Sequence, residues 1–340
     1  MSAMAATIRM TQLSSGGGCA SKLPAAALAE VLQGVPHRED PNVLVSGATF
    51  DDAAVIRLDD GSTLIQTIDA FGPVVDDPFD YGRIAAANAI SDVYAMGGIP
   101  RFALAILAIP TGVSAAVTTE ILRGGAATAH AAGVSIVGGH TVTAPEPLYG
   151  LAVTGIAPDG VFWVNSGGRP GDLLCLSKPL GSGIVANAMR NDAAPAAVLA
   201  AGVEVMAATN AAAAAALRGI GPSAVVDVTG FGLVGHLHNL VRESGCAAEI
   251  DLAALPLIPG VRELVEADVI PGGSRRNRAA AAAYMRAADG VIDALVTLAC
   301  DAQTSGGLLA AVPAGTDPAA LPGPVIGRLV AGPAGTVALV

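Results

Sequence analysis

The rhythm of apolar and polar positions changes several times along this chain, and each change predicts an element. Up to about residue 45 there is no sustained period. The run Ser14-Ser-Gly-Gly-Gly18 predicts a mobile loop, because successive glycines hold no regular backbone cheaply. Residues 24–32 have helix composition with proline at the start. From Asn42 onward, short apolar runs are bounded by turns. Residues 53–58 and 62–68 predict a hairpin around Asp59-Asp60-Gly61. Residues 80–96 predict a helix, closed by Gly97-Gly98 and followed by Pro100. A strand at 102–109, a helix at 118–132 and strands at 134–137 and 148–156 complete a first unit.

A second unit repeats the texture without repeating the residues. It predicts a strand at 173–176, helices near 183–190 and 195–218, a strand at 224–228 and a helix at 231–244, then strands at 248–250 and 308–312. Pro158, Gly160, Gly167 and Gly168 mark 158–169 as a linker. The expected organisation is an N-terminal segment (1–45), a first domain (46–157), the linker, and a second domain (170–340), each domain mixed α/β.

Composition agrees and narrows the function. Hydrophobic residues make up 52% of the 340 and charged residues 14%, with 42 glycines and 22 prolines, as in a globular chain with many turns. The longest alanine-rich stretch, 195–220, is interrupted by Glu204, Asn210 and Arg218, so it predicts no membrane span. The N-terminus lacks the basic start and apolar middle of a signal peptide, which predicts a cytoplasmic protein. Cys19, Cys175, Cys246 and Cys300 are scattered without metal-ligand spacing and read as thiols. A net charge of −11 argues against nucleic acid as a partner. It also means that any site for a polyphosphate needs bound cations. Of the 18 basic residues only Lys22 and Lys178 are lysine, which singles both out, since ammonium and guanidinium do different work.

Five aspartate-bearing segments share one arrangement, an apolar run meeting an Asp at a turn or helix start. They hold Asp51-Asp52, Asp69, Asp92, Asp227 and Asp301. Aspartate is common at strand ends and helix N-caps in its own right. Asp92, however, falls inside the predicted helix, four residues after Asn88, which sets two oxygen ligands on one face. The other face (Ala86, Ile90, Val93) is apolar too, so that helix is buried and its Asp needs a partner such as a metal ion. Asp227 ends an apolar strand before a glycine-rich turn. Magnesium binds through one or two carboxylates plus phosphate oxygens, which would let an acidic chain hold ATP. Gly138-Gly139-His140-Thr141 follows a strand; it reads either as a plain turn or as backbone N–H groups offered to phosphate. No Walker motif is present. Cys19 and Lys22 lie three apart in the glycine-rich loop, where the lysine would favour a thiolate.

An ordered series of segments carries a resemblance to a known family. It comprises Thr11-Gln12, Gly16-Gly-Gly-Cys19-Ala-Ser-Lys22, Asp51-Asp-Ala-Ala-Val55, Asn88-Ala-Ile-Ser-Asp92-Val-Tyr-Ala-Met-Gly-Gly98, Gly138-Gly-His140, Ala144-Pro-Glu-Pro147, Asp227-Val-Thr-Gly-Phe-Gly232, Pro271-Gly-Gly273 and Gln303-Thr-Ser-Gly-Gly307. In order and spacing this series resembles the selenophosphate synthetases (selenide, water dikinases). The resemblance implies the two-domain α/β fold of the aminoimidazole-ribonucleotide-synthetase superfamily, with first domains pairing into a homodimer. It implies ATP and selenide as substrates, and selenophosphate, AMP and phosphate as products. By position, Cys19 and Lys22 would be the catalytic pair. Asp52, Asp92 and Asp227 would bind magnesium. Lys22, Thr49, Phe50, Asp51, Asp69 and Asp92 would contact ATP or its metal ions, and Gly139, His140 and Thr141 would complete the nucleotide site, from the partner subunit in one version. Cys19 would deliver selenium, shield it or help close the loop. Many members carry a second cysteine just before the lysine; this chain has Ser21 there. A thiamine-monophosphate kinase-like enzyme is the alternative, which leaves Cys19, Lys22 and His140 unexplained, and a nucleotide-binding scaffold without turnover is another.

Overall fold

A helix that is apolar all round must be covered on every side, and the helix Pro78–Ala95 (α1) is the one around which this molecule is assembled. The structure is a computed structural model that describes residues 8–14, 16–18, 31, 35, 39–47 and 50–340. The short helix expected at 24–32 falls outside those residues, Val31 apart. Asp77 caps α1 by accepting from the Asp80 N–H (2.9 Å), and Pro78 takes the first helical position, where no N–H is needed.

One flank of α1 is covered by a six-stranded sheet. Its strands are β1 (Val43–Val45), β2 (Ala54–Arg57), β3 (Thr63–Phe71), β4 (Ile99–Ile109), β5 (Ser135–Thr143) and β6 (Leu148–Ile156), in the order β1-β2-β3-β6-β4-β5. All pairs are antiparallel except β4 and β5. Alongside α1 lies α2 (Ala115–Ala131). The two helices cross without side chains between them: a Cβ at Gly82 would stand 2.0 Å from Ile121 O, and one at Gly124 1.9 Å from Phe79 O.

The strand expected at 134–137 runs on to Thr143, so Gly138–Thr141 are not a turn. Pairing with β4 from Phe102 to Ile109 carries them through. Gly139 has its own reason there, since a Cβ would meet Ala105 O at 2.1 Å.

The other flank of α1 is covered by the second domain. It comprises β7 (Leu173–Leu176), α3 (Ser182–Arg190), α4 (Ala196–Ala207), α5 (Ala211–Ile220), β8 (Ala224–Asp227), α6 (Gly232–Glu243), β9 (Ala247–Ile250), α7 (Val261–Glu266), α8 (Gly272–Ala281), β10 (Met285–Ala287), α9 (Asp293–Ala299), β11 (Leu308–Val312), β12 (Val325–Val330) and β13 (Val337–Leu339). Its sheet runs β10-β13-β9-β12-β7-β11-β8. Helix α1 touches α4, α5 and β8, and one hydrophobic cluster continues from Ile90 and Val93 to Met206, Leu217 and Val225.

The single helix expected at 195–218 is two helices bent by 53° at a break after Ala207. At that break the Ala208 carbonyl accepts from Lys178 Nζ (2.6 Å) and the Asn210 amide donates to Ser91 Oγ (2.8 Å), bonds that a continuous helix would not place. The segment expected as a linker lies against both domains: Trp163 N–H donates to Met96 O (2.9 Å), and Val225 N–H donates to Val164 O (3.0 Å). The loop expected to be mobile is tied down as far as it is described. Gly18 N–H donates to Gly72 O (3.2 Å), and Ser14 Oγ to Glu146 Oε2 (2.8 Å).

Candidate nucleotide and metal site

Four aspartates gather where α1 lies between the domains. Asp69 comes from β3, Asp92 from α1, Asp227 from the end of β8, and Asp52 from the turn before β2. Each is held by a named donor. Asn88 Nδ2 donates to Asp69 Oδ2 (2.6 Å), Thr67 Oγ1 to Asp92 Oδ2 (2.5 Å) and Ser91 Oγ to Asp227 Oδ2 (2.8 Å). Asp52 Oδ2 accepts from the Asp227 backbone N–H (3.1 Å), which ties the acidic turn of one domain to the strand end of the other. Asp51 faces the segment between domains, accepting from Asn165 N–H (2.7 Å).

The electrostatics are those of buried acids crowded by like charge. Burial, and then the negative charges of Asp227 and Asp92, hold the Asp52 carboxyl well above the usual carboxylate range. Among the described residues no three acidic, histidine or cysteine side chains stand close enough to enclose an ion by themselves. Hard oxygen donors that supply part of a coordination shell and leave the rest to water and phosphate suit magnesium rather than a metal that demands a full protein cage.

The expected pairing of Asn88 with Asp92 as two ligands is met differently. Asn88 is fully buried and its amide is committed on both sides, accepting from Ser305 N–H (2.8 Å) as well as donating to Asp69. Its amide orients Asp69 and the Ser305 turn.

A cavity of about 460 Å³ opens beside Asp51 and Asp52, walled by Gln66, Thr67, Ile68 and Ala152. Phe50, at its rim in sequence, has a left-handed backbone (φ 57°) and lies 5.4 Å from the Arg242 guanidinium of α6. Gly139, His140 and Thr141 are not brought to this group within one chain. They lie on the exposed edge strand β5, three strand steps from β3, or roughly 14 Å. Cys19, Lys22 and Thr49 lie outside the described residues. Gly16 and Gly17, just before Cys19, border a second cavity of about 310 Å³ with Arg190 of α3 and Arg276 of α8.

Sequence reasoning missed Thr67, Ser91 and Asn210, which hold the acids in place. Asn210 Nδ2 donates to Gly306 O (2.9 Å) as well as to Ser91 Oγ. The available signal was a polar step in an apolar run, as Thr209-Asn210 is within its alanines.

Known proteins share this two-domain arrangement. Residues 50–157 match the AIR synthase related protein, N-terminal domain, and residues 169–339 match the corresponding C-terminal domain. Solved structures agree on the fold. "AaThiL complexed with AMPPCP and TMP" superposes with a TM-score of 0.69 at 18% identity, covering 92% of each chain. "Crystal Structure of Hydrogenase Maturation Protein HypE in complex with ATP" does so with a TM-score of 0.65 at 20% identity, covering 94% of this chain and 92% of that one.

Within that two-domain class, sequence identity is higher for one kind of protein. The selenide, water dikinase of Myxococcus xanthus (strain DK1622) is 44% identical over 308 residues, covering 90% of this chain and 88% of that protein. The selenide, water dikinase of Escherichia coli (strain K12) is 43% identical over 312 residues, with the same coverage. The chain belongs to the selenide, water dikinase family of AIR synthase related proteins.

Proposed function

We propose that this chain catalyses the reaction of ATP, selenide and water to selenophosphate, AMP and phosphate. The observation that carries the reading is the 43–44% identity with selenide, water dikinases over 90% of the chain. The acidic junction gives it a physical basis. Magnesium, bound to oxygens of Asp52, Asp92 and Asp227, would supply the positive charge that lets this acidic protein hold a triphosphate and that stabilises each departing phosphate. Asp69 and Asp51 would orient the same phosphates and their hydrated ions, held in place by Asn88 and by the Asn165 N–H. Phe50 would border the nucleotide. Lys22 would pair with selenide, a soft anion, and Cys19 beside it would deliver the selenium or shield it from water. Selenide attacks the γ-phosphorus as the bond to the bridging oxygen breaks. Water then cleaves the remaining diphosphate bond, leaving AMP and phosphate.

The same reading takes the protein as a cytoplasmic homodimer. No single helix among the described residues is long and apolar enough to cross a membrane. In the first domain Ile68, Phe102, Leu104 and Val137 are exposed on sheet positions, 52–64% open. Ile68, Ala152, Leu104 and Gly138 stand in register across β3, β6, β4 and β5. That apolar row begins at the cavity beside Asp52 and ends at the strand bearing His140. A second copy covering it would bury the row and bring its own Gly139–Thr141 toward the nucleotide.

Phosphorus NMR of the protein with magnesium and ATP, anaerobic, with and without selenide, tests the chemistry. Selenide-dependent selenophosphate, AMP and phosphate are expected; ADP as the end product would make the chain a simple kinase. For the dimer, Phe102→Glu is expected to halve the mass in solution, and an unchanged mass would remove this face from the assembly.

A further inference from the structure

Lys178 is one of two lysines in a chain that otherwise uses arginine, and the reaction proposed for the site leaves it without a task. It stands two residues beyond β7 and is buried. Its ammonium donates to Ala208 O (2.6 Å) and Ser305 O (2.7 Å) and reaches Ser305 Oγ (3.5 Å). None of these partners is a carboxylate. Burial pushes its pKa down to about 7, and the nearby charge of Asp227 works against that shift, which places the group within the field of the acidic site.

Each of the two carbonyls belongs to a segment that goes on to touch α1. Ser305 has a left-handed backbone (φ 52°), a conformation that costs a non-glycine residue about 1–2 kcal/mol unless its neighbours hold it. Lys178 takes its carbonyl and hydroxyl, while its N–H goes to Asn88 Oδ1 and the Asn88 amide goes on to Asp69. On the other side, Ala208 opens the break between α4 and α5. Two residues on, Asn210 bonds Ser91, which bonds Asp227. One buried cation therefore stands at the fork of two relays, ending on Asp69 of the first domain and Asp227 of the second. Asn88, Ser91, Asn210 and Ser305 are all at most 1% exposed, so bulk water does not compete for these links.

We propose that Lys178 is a positioning residue for the nucleotide–metal site, fixing the Ser305 turn and the Ala208–Asn210 break so that Asn88 and Ser91 hold Asp69 and Asp227 in register across the domain junction. The inference rests on the reading of those aspartates as the ATP and metal site. It also explains why lysine is kept here. A compact ammonium serves acceptors that converge from two segments, whereas the planar fork of arginine would need them coplanar.

The test is magnesium-dependent affinity for a non-hydrolysable ATP analogue, by calorimetry, in the full-length protein, Lys178→Met, Asn88→Ala and the double variant. Lys178→Met keeps the side-chain length and removes every donor. It is expected to weaken the analogue at least about tenfold while far-ultraviolet circular dichroism is unchanged. The double variant is expected to bind more weakly than Asn88→Ala alone, through the relay to Asp227 that Asn88 does not serve, yet better than additive losses would give, because both changes cut the relay to Asp69. A lysine that only stabilises the fold would lower the melting temperature and leave affinity intact. That result, or fully additive losses, overturns the proposal. Should Lys178→Met fail to fold, Lys178→Gln replaces it: its amide is one bond too short for the carbonyls, and wild-type affinity in that variant is equally fatal. A wild-type protein that binds no analogue with magnesium present refutes the site itself, a failure distinct from wild-type binding that Lys178→Met leaves untouched.

Discussion

Two buried carboxylate stations lie in the same molecule, and they are built in opposite ways. At the foot of α3, Asp301 is surrounded by donors. Its Oδ2 accepts from Gly183 N–H (3.1 Å), Ile184 N–H (3.3 Å) and Gln303 Nε2 (3.0 Å), and its Oδ1 accepts from Ser274 Oγ (2.5 Å). It is a staple that joins the N-termini of α3 and α8 to the 301–305 turn. At the domain junction, Asp52 is surrounded by other acids, and the donor it meets is the backbone N–H of Asp227. A carboxylate enclosed by N–H and O–H groups has its lone pairs met; one enclosed by carboxylates holds its proton more tightly unless a cation is brought to it, as the proposed function requires. Both stations arise from the same local sequence, an apolar run that meets an aspartate. The difference lies in what the fold places opposite.

The comparison breaks if the two stations respond alike to loss of their acid. Asp227→Asn is expected to lower selenide-dependent AMP formation by about a thousandfold, or about 4 kcal/mol in the barrier. Its stability in urea should be unchanged or higher, because Asp52 then faces one charge fewer. Asp301→Ala should do the reverse. Four donors lose their acceptor at about 1 kcal/mol each, so unfolding free energy drops by about 4 kcal/mol, while the folded fraction keeps its affinity for the ATP analogue. A large stability loss in Asp227→Asn would show that it, too, is a staple.

Local pattern made much of the fold legible. The hairpin of β2 and β3, the buried helix α1 and the strands β6, β7 and β11 follow from apolar period, turn residues and a flanking Gly-Gly, all of which act within a few residues. The acids themselves were legible too, since a helix apolar on both faces has little reason to carry Asp92 unless a cation or a donor meets it. The partners were not. Thr67, Ser91 and Asn210 are polar residues at unremarkable positions, and their meaning comes from contacts such as Asn210 with Ser91, 119 residues away. The break after α4 was hidden for the same reason: an alanine run reads as one helix, and only the tertiary demands of Lys178 and Asn210 interrupt it. Likewise Gly138-Gly139 has turn chemistry, yet β4 draws it into a strand.

Proton linkage sharpens the contrast. Burial raises Asp301 to about 6, above its unfolded value of 3.8, although its donors oppose the shift. The folded state therefore binds this proton more tightly than the unfolded chain. The resulting stabilisation is complete at low pH and declines as pH rises from about 4 to about 6, after which it is flat. The span is about 2 units, or about 3 kcal/mol. Urea unfolding of wild type against Asp301→Asn at pH 4, 5, 6 and 7 should show that difference slope, and magnesium should leave it unchanged. A slope that vanishes on adding magnesium would place Asp301 in the ion's site.

The finest test compares two serines doing the same local job. Ser274 donates to Asp301 and also accepts from Ala302 N–H (3.2 Å), so its hydroxyl closes a ring of bonds wholly within the second domain. Ser91 donates to Asp227 and accepts from Asn210, so its hydroxyl orients an acid that the proposed function assigns to a magnesium ion. Replacing either with alanine deletes one oxygen of similar burial. Ser274→Ala is expected to cost about 1–2 kcal/mol in urea unfolding, with or without magnesium. Ser91→Ala is expected to cost less than about 1 kcal/mol in metal-free protein, since it frees a carboxylate that was held against its like-charged neighbours. With magnesium and the ATP analogue bound, the loss should grow, because the complex needs that carboxylate aimed. Equal costs for both serines under both conditions would mean that the junction is as self-sufficient as the staple.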